Sequence, residues 1–144
     1  MTNRWNPPGE PTLYVAGDRG VAIAEFARHI REDNVPALAP RTIERRIFDL
    51  RVRVEATLDL RDPRVWTTLS LVDAPGCFLD RTVARATAGY LRHTTRTQAL
   101  IVPSMALLDA PSRWVAVLFL DKLPADPAAF LADVRPDGTF RLDQ

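Results

Sequence analysis

Residues 99–120, Ala-Leu-Ile-Val-Pro-Ser-Met-Ala-Leu-Leu-Asp-Ala-Pro-Ser-Arg-Trp-Val-Ala-Val-Leu-Phe-Leu, hold two of the most apolar runs in the chain. Ala99–Val102 and Trp114–Leu120 are short, rich in β-branched and aromatic residues, and bounded by Pro103 and the Pro111-Ser112 turn. Runs of this length and composition read as strands, apolar enough on both faces to be central in a sheet.

Upstream of this pair the signal is helical. Asp80 is placed to cap a helix from Arg81 to about His93, with Val83, Ala84, Thr87, Ala88 and Leu91 inward. Before it, Val65–Leu71 reads as a short helix or irregular turn, between Asp62-Pro63 and Pro75-Gly76. From about Thr42 to Leu60 the chain alternates, with Leu50, Val52 and Val54 set between Arg51, Arg53 and Glu55, as in a half-buried strand with an arginine-bearing face. Pro36 and Pro40 mark a loop.

At the N-terminal end, Asn-Pro-Pro-Gly-Glu-Pro at 6–11 is a rigid turn, because proline fixes φ and removes donors. Thr12–Ala16 is a strand ended by Gly17-Asp18. Asp18 then caps a helix to about Arg31 or Asp33, whose stripe is Ile23, Phe26, Ala27 and Ile30. Beyond Leu120, a short helix is expected over Pro127–Val134 and a hairpin turn at Pro136-Asp137-Gly138. Strands and helices alternate irregularly, without a repeating βαβ unit, so the expected class is α+β, in a single domain over 1–144.

The bulk numbers exclude much. With 144 residues, 47% hydrophobic and 26% charged, the chain suits one core and not a disordered or fibrous protein. A net charge of +1 offers no global field for nucleic acid or an anionic membrane. The basic stretch Arg41, Arg45, Arg46, Arg51, Arg53 is diluted by Glu44, Asp49 and Glu55 and carries no base-reading motif. Of 19 basic residues only Lys122 is a lysine; a GC-rich genome or a taste for phosphate and carboxylate both account for that. Cys77 is alone, so no internal disulfide forms, and it reads as a small buried residue. His29 and His93 lack metal-ligand spacing and read as surface residues on helices, so no metal is expected. No signal-like or membrane-length apolar run is visible, and a cytoplasmic location is expected.

Candidates for chemistry are few. Arg4 precedes the rigid turn, Glu25 sits in a helix, and Ser104 follows Val102-Pro103 at a strand end. Helical geometry puts Glu25 about opposite the apolar stripe, beside Arg28 and His29, where it reads as a solvated glutamate in surface pairs. Ser104 reads as a turn or cap residue. There is no G-x-S-x-G elbow, P-loop or G-x-G-x-x-G fingerprint.

The ordered set R-W-N-P-P-G-x-P-x-L-Y (Arg4–Tyr14), A-I-A-E-F (Ala22–Phe26), Leu58-Asp59-Leu60 with Asp62-Pro63, and A-L-I-V-P-S-M-A (Ala99–Ala106) resembles the RES-domain family, named for an arginine, a glutamate and a serine. The likeness covers about 4–123, leaving 124–144 as a C-terminal helix and hairpin extension. It implies a fold like that of ADP-ribosyltransferase toxins, with central mixed sheets flanked by helices. It also implies cleavage of the nicotinamide–ribose bond of NAD by water or phosphate, with NAD as substrate and no cofactor.

By the same resemblance Arg4 and Glu25 are catalytic, and Arg4 grips a phosphate or ribose of NAD. Tyr14 offers nicotinamide a ring face and a hydroxyl, and Ser104 hydrogen-bonds the amide or ribose. Trp5 and Asn6 either shape the pocket or are a core and a turn residue. The implied partner is an antitoxin with a helix-turn-helix domain that plugs the pocket; self-association is left open. Two further readings accompany this one: ADP-ribosyl transfer to a protein, and a non-catalytic partner-binding module. The latter follows from Arg4 lying so near the first residue, where relatives carry a further segment and where a loosely held terminus is expected. Thr97-Gln98 stands where many relatives have glycine.

Overall fold

Proline, glycine and the two apolar runs partition the chain as expected through its middle, and the computed structural model describes residues 3–32, 44–110 and 112–142. The loop marked by Pro36 and Pro40, and the helix end at Asp33 and strand start at Thr42, lie outside the described residues. Among the described residues six strands form: β1 Thr12–Ala16, β2 Arg45–Val52, β3 Thr57–Asp59, β4 Ala99–Pro103, β5 Trp114–Phe119 and β6 Leu131–Phe140. Among the same described residues three α-helices accompany them, α1 Arg19–Glu32, α2 Pro63–Thr68 and α3 Arg81–Thr94, with four 3-10 turns between.

The main sheet has the order β1-β5-β4-β3, antiparallel except for the parallel β3–β4 edge, so it is mixed and β4 and β5 are central. Its pleat sorts residues between two layers. Leu100 and Val102 of β4, with Val115, Val117 and Phe119 of β5, face a core shared with Ala84, Ala88 and Leu91 of α3. Ala99 of β4, with Ala116 and Leu118 of β5, faces the other side, with Leu13, Val15 and Phe130. Ala84, Ala88 and Leu91 recur at i, i+4 and i+7, and Asp80 accepts from the Thr82 amide to cap their helix.

Four expectations are corrected. The alternating stretch is not one strand: β2 joins β6 in a separate two-stranded sheet, while β3 edges the main one. Gln98 fixes the break, its Oε1 accepting from the amides of Glu55 (3.0 Å) and Ala56 (3.3 Å). The expected helix at 127–134 is a 3-10 turn of three residues, Pro127–Ala129. The expected hairpin is absent: Pro136 and Gly138 lie within β6, which pairs with β2 through two register shifts. Such irregularities let a strand carry proline, and Gly138 takes φ +89° without a Cβ penalty.

The fourth correction concerns α1. Its stripe of Ile23, Phe26, Ala27 and Ile30 is only half-buried, and Phe26 meets Phe140 of β6 edge-on, with ring centroids 5.6 Å apart. Val21 is the fully buried residue, and Glu25 lies one turn beyond it on the same side. Covered on more than one face, α1 does not leave Glu25 to the solvent.

Candidate active site

Ser104 follows Pro103 at the end of β4 and is wholly buried. Its amide is held by the Arg113 carbonyl at 3.0 Å, which extends the β4–β5 ladder by one rung and fixes where the side chain points. The hydroxyl donates to Oε1 of Glu25 at 2.7 Å. The same oxygen accepts from the amide of Ala106 at 3.1 Å, in the 3-10 turn Met105–Leu107. Two donors from one sheet end therefore clamp one carboxylate oxygen, and Oε2 is turned toward Arg28, 3.8 Å from its Nη1. The Glu25 side chain is 27% exposed, so it is part-buried yet reachable.

It opens on a cleft of about 400 Å³ lined by Arg4, Trp5, Tyr14, Glu25, Arg28 and His29, with an apolar floor from Val102, Met105 and Val115. That is within the ~300–1,000 Å³ typical of small-molecule sites. A larger gap of about 680 Å³ between the two sheets shares Tyr14, Val15, Ala16, Ala22 and Phe26 with the cleft. Its lining mixes apolar residues of β1, β2, β4 and β5 with Asp18, Arg19, Arg45, Arg46, Asp49 and Asp137, and neither Arg4 nor Glu25 reaches it. The clamped carboxylate of Glu25, with Arg4 in the same wall, marks the smaller cleft as the candidate site.

Arg4 is not loosely held. Its Nη1 donates to the carbonyls of Phe78 (3.1 Å) and Leu79 (2.6 Å), at the end of the 3-10 turn Gly76–Leu79. Arg85 of α3 forks onto the Asn3 carbonyl at 3.1 and 3.0 Å, and Trp5 packs on Phe78 with centroids 5.0 Å apart. Carbonyls at a helical C-terminus attract cations, so the strap is electrostatically favoured. Arg4 keeps a face in the cleft while bracing the segment that carries it.

Tyr14 puts its ring in the cleft, but its hydroxyl is engaged elsewhere, donating to Oδ1 of Asn6 and accepting from the Trp5 amide at 3.2 Å. Burial pushes the Tyr14 hydroxyl far above the ordinary phenol range, an effect the Trp5 hydrogen bond and nearby Arg85 and Arg92 only partly offset. Asn6 is a turn residue: its Nδ2 donates to the carbonyls of Pro7 and Glu10, and it does not line the cleft. Trp5, 4% exposed, is both core and wall.

So Arg4, Trp5, Tyr14 and Glu25 come together in one cavity, with Ser104 just behind it. The Ser104 hydroxyl addresses Glu25 and not the cavity, and of the two readings of Asn6 its hydrogen bonds fit the turn residue, which also holds Tyr14. Sequence reading missed Arg28 and His29 as cleft residues, treating them as surface neighbours of Glu25. Their spacing of i+3 and i+4 from Glu25 is the signal that placed them on its face. Cys77 is outside the cleft, and burial raises its thiol, which does not suit a nucleophile. Among the described residues no helix is long and apolar enough to cross a membrane.

The comparisons with known proteins agree with this architecture. No curated protein sequence matches the chain. Among solved structures, a chain of the M. tuberculosis MbcT–MbcA toxin–antitoxin complex has the same fold. Its TM-score is 0.68 at 18% identity, over 97% of this chain and 71% of that one. The family model described as the RES domain matches residues 2–143, nearly the full length. The chain belongs to the RES-domain family.

Proposed function

We propose that this RES-domain protein breaks the nicotinamide–ribose bond of NAD, as the toxin of a toxin–antitoxin pair acting in the cytoplasm. One observation carries the reading: a carboxylate with one oxygen clamped by Ser104 and Ala106, presented at the wall of a cleft that also holds an aromatic face and arginines.

The chemistry asks for that arrangement. As the C1′–N1 bond breaks, its electron pair leaves on nicotinamide and positive charge develops on the ribose, as in glycosidase transition states. A carboxylate fixed beforehand stabilises that charge more than it stabilises the ground state, which is the condition for acceleration. Glu25 is fixed in this way, and the hydroxyl that holds it comes from Ser104. The Tyr14 ring is placed to pack on nicotinamide. Nicotinamide departs as a neutral base, so no strong general acid is required. Water or phosphate completes the reaction by attack at C1′.

Incubation of the protein with NAD, with and without phosphate, tests this directly. Nicotinamide should appear with free ADP-ribose or its phosphate, and Glu25→Gln should lower the rate by about a hundredfold or more. Label from NAD appearing on protein instead would identify transfer to a protein, and no nicotinamide at all would leave a binding module. The solved relative is part of a toxin–antitoxin complex, which supports a protein partner here; a helix-turn-helix antitoxin that abolishes NAD cleavage on co-purification is the expected form.

A further inference from the structure

Arg113, immediately before β5, touches both partners of the Glu25 clamp. Its carbonyl accepts from the Ser104 amide at 3.0 Å and so sets where the hydroxyl points. Its guanidinium crosses to α1, where Nη2 donates to Oδ1 of Asp18 at 3.3 Å and Nε stands 3.3 Å from Oδ2. Asp18 caps that helix, its Oδ1 accepting from the Val21 amide at 2.9 Å. A Cβ on Gly20 would stand 2.6 Å from Nη2 of Arg113, so the guanidinium lies against the backbone of the first turn. Helix stability does not ask for it there: a helix N-terminus disfavours cations, and α1 has no acidic residue in its first turn. The two side chains are 39% and 50% exposed, so their pairing adds little to overall stability.

We propose that Arg113 and Asp18 are positioning residues for Glu25, a strut that sets α1 against the end of β4. This rests on the reading of Glu25 as the group that acts at the ribose and deepens it. Glu25 lies two helical turns beyond Asp18, about 10 Å along the axis. Over that lever a tilt of about 5° moves the carboxylate by about 1 Å, which spoils both the hydrogen bond to Ser104 and the alignment that catalysis needs. Arg113 suits the task because it holds the serine through its backbone and the helix through its side chain. Its planar fork spans both oxygens of Asp18, where the ammonium of a lysine is a single point of contact.

The test uses the full chain as wild type, Arg113→Ala, Arg113→Lys and Asp18→Asn, each checked by thermal melting, with Arg64→Ala as a control. Arg64 makes an exposed pair with Asp62 at the cap of α2, and neither residue lines the cleft. One readout is kcat and KM for nicotinamide release from NAD. The other is hydrogen exchange of the Ala106 amide, which donates to the clamped Glu25 oxygen and needs no substrate. Arg113→Ala is expected to lower kcat about three- to tenfold with KM unchanged, and to speed Ala106 exchange by a similar factor. Asp18→Asn keeps the cap without the charge and should match it, and the double variant should lose no more. Arg113→Lys should recover part of the loss, and Arg64→Ala should change neither readout.

A wild-type kcat in Arg113→Ala would overturn the strut, as would a loss confined to KM or an equal fall in Arg64→Ala. Losses that simply multiply when Arg113→Ala is combined with Ser104→Ala would do the same, since both residues are held to act through one carboxylate. Wild-type protein that releases no nicotinamide, while Ala106 exchange still rises in Arg113→Ala, would defeat the proposed reaction and leave the positioning of Glu25 standing; unchanged exchange in that case would defeat both.

Discussion

Replacing Ser104 by alanine separates a residue that holds the substrate from one that holds the catalyst. The hydroxyl is fully buried and donates at 2.7 Å to Oε1 of Glu25, so its loss removes one charge-assisted hydrogen bond and vacates the volume of a single oxygen. Such bonds contribute about 1.5–3 kcal/mol. The Ala106 amide stays on the same oxygen at 3.1 Å, and the 27% exposure of Glu25 lets water replace part of what is lost. The expected penalty is therefore about 1.5–2 kcal/mol in the orientation of Glu25, which corresponds to roughly a 10- to 30-fold fall in kcat. KM for NAD and the affinity for ADP-ribose should hardly move.

Steady-state nicotinamide release over a range of NAD concentrations, with a thermal melt for folding, gives both numbers. In the double variant Ser104→Ala with Glu25→Gln the serine should add no further loss, because its only route to the substrate has already been cut. An undiminished kcat, or a loss confined to KM, would refute the assignment; the latter would return Ser104 to direct contact with NAD.

Other outcomes follow from the same geometry. Glu25→Ala should be less stable than Glu25→Gln by about 1–3 kcal/mol in denaturant melts, since alanine strands the buried Ser104 hydroxyl and the Ala106 amide while glutamine still accepts from both. Arg4→Ala should lower the melting temperature by roughly 5–10 °C, as it removes charged hydrogen bonds to two carbonyls and loosens Trp5 against Phe78. Tyr14 has its folded-state pKa raised by burial. The unfolded chain therefore loses that proton above about pH 10 while the folded chain keeps it, and stability falls as pH rises from there. Urea melts between pH 9 and 11 should show a steeper decline for wild type than for Tyr14→Phe, and equal slopes would rule the tyrosine out as the cause.

Much of the scaffold was legible because its signals are local. The β1 strand ends at the Gly17-Asp18 turn, α3 starts at the Asp80 cap, and β4 and β5 are apolar on both faces because layers cover both. The errors fall where local pattern meets competing partners. Residues 45–59 alternate like one strand, yet the Gln98 side chain captures the amides of Glu55 and Ala56 and splits the run between two sheets. The Pro136-Asp137-Gly138 triplet has hairpin chemistry, but it pairs along β2, and Arg19 donates to the carbonyls of Asp137 and Thr139.

For the site, residue identity was readable and orientation was not. The ordered motifs at Arg4, Glu25 and Ser104 single out the three side chains, and these motifs sit on a turn, a helix and a strand end that short-range physics specifies. Whether a helical glutamate faces water, and whether a serine hydroxyl meets a ligand or a carboxylate, depends on contacts across 79 positions between Ser104 and Glu25. Periodicity carries no information over such separations. A helix packed on more than one side has no single apolar face to reveal which residues point inward, and so the clamp on Glu25 and the place of Arg28 and His29 in the cleft were decided only when the β4 end and α1 came together.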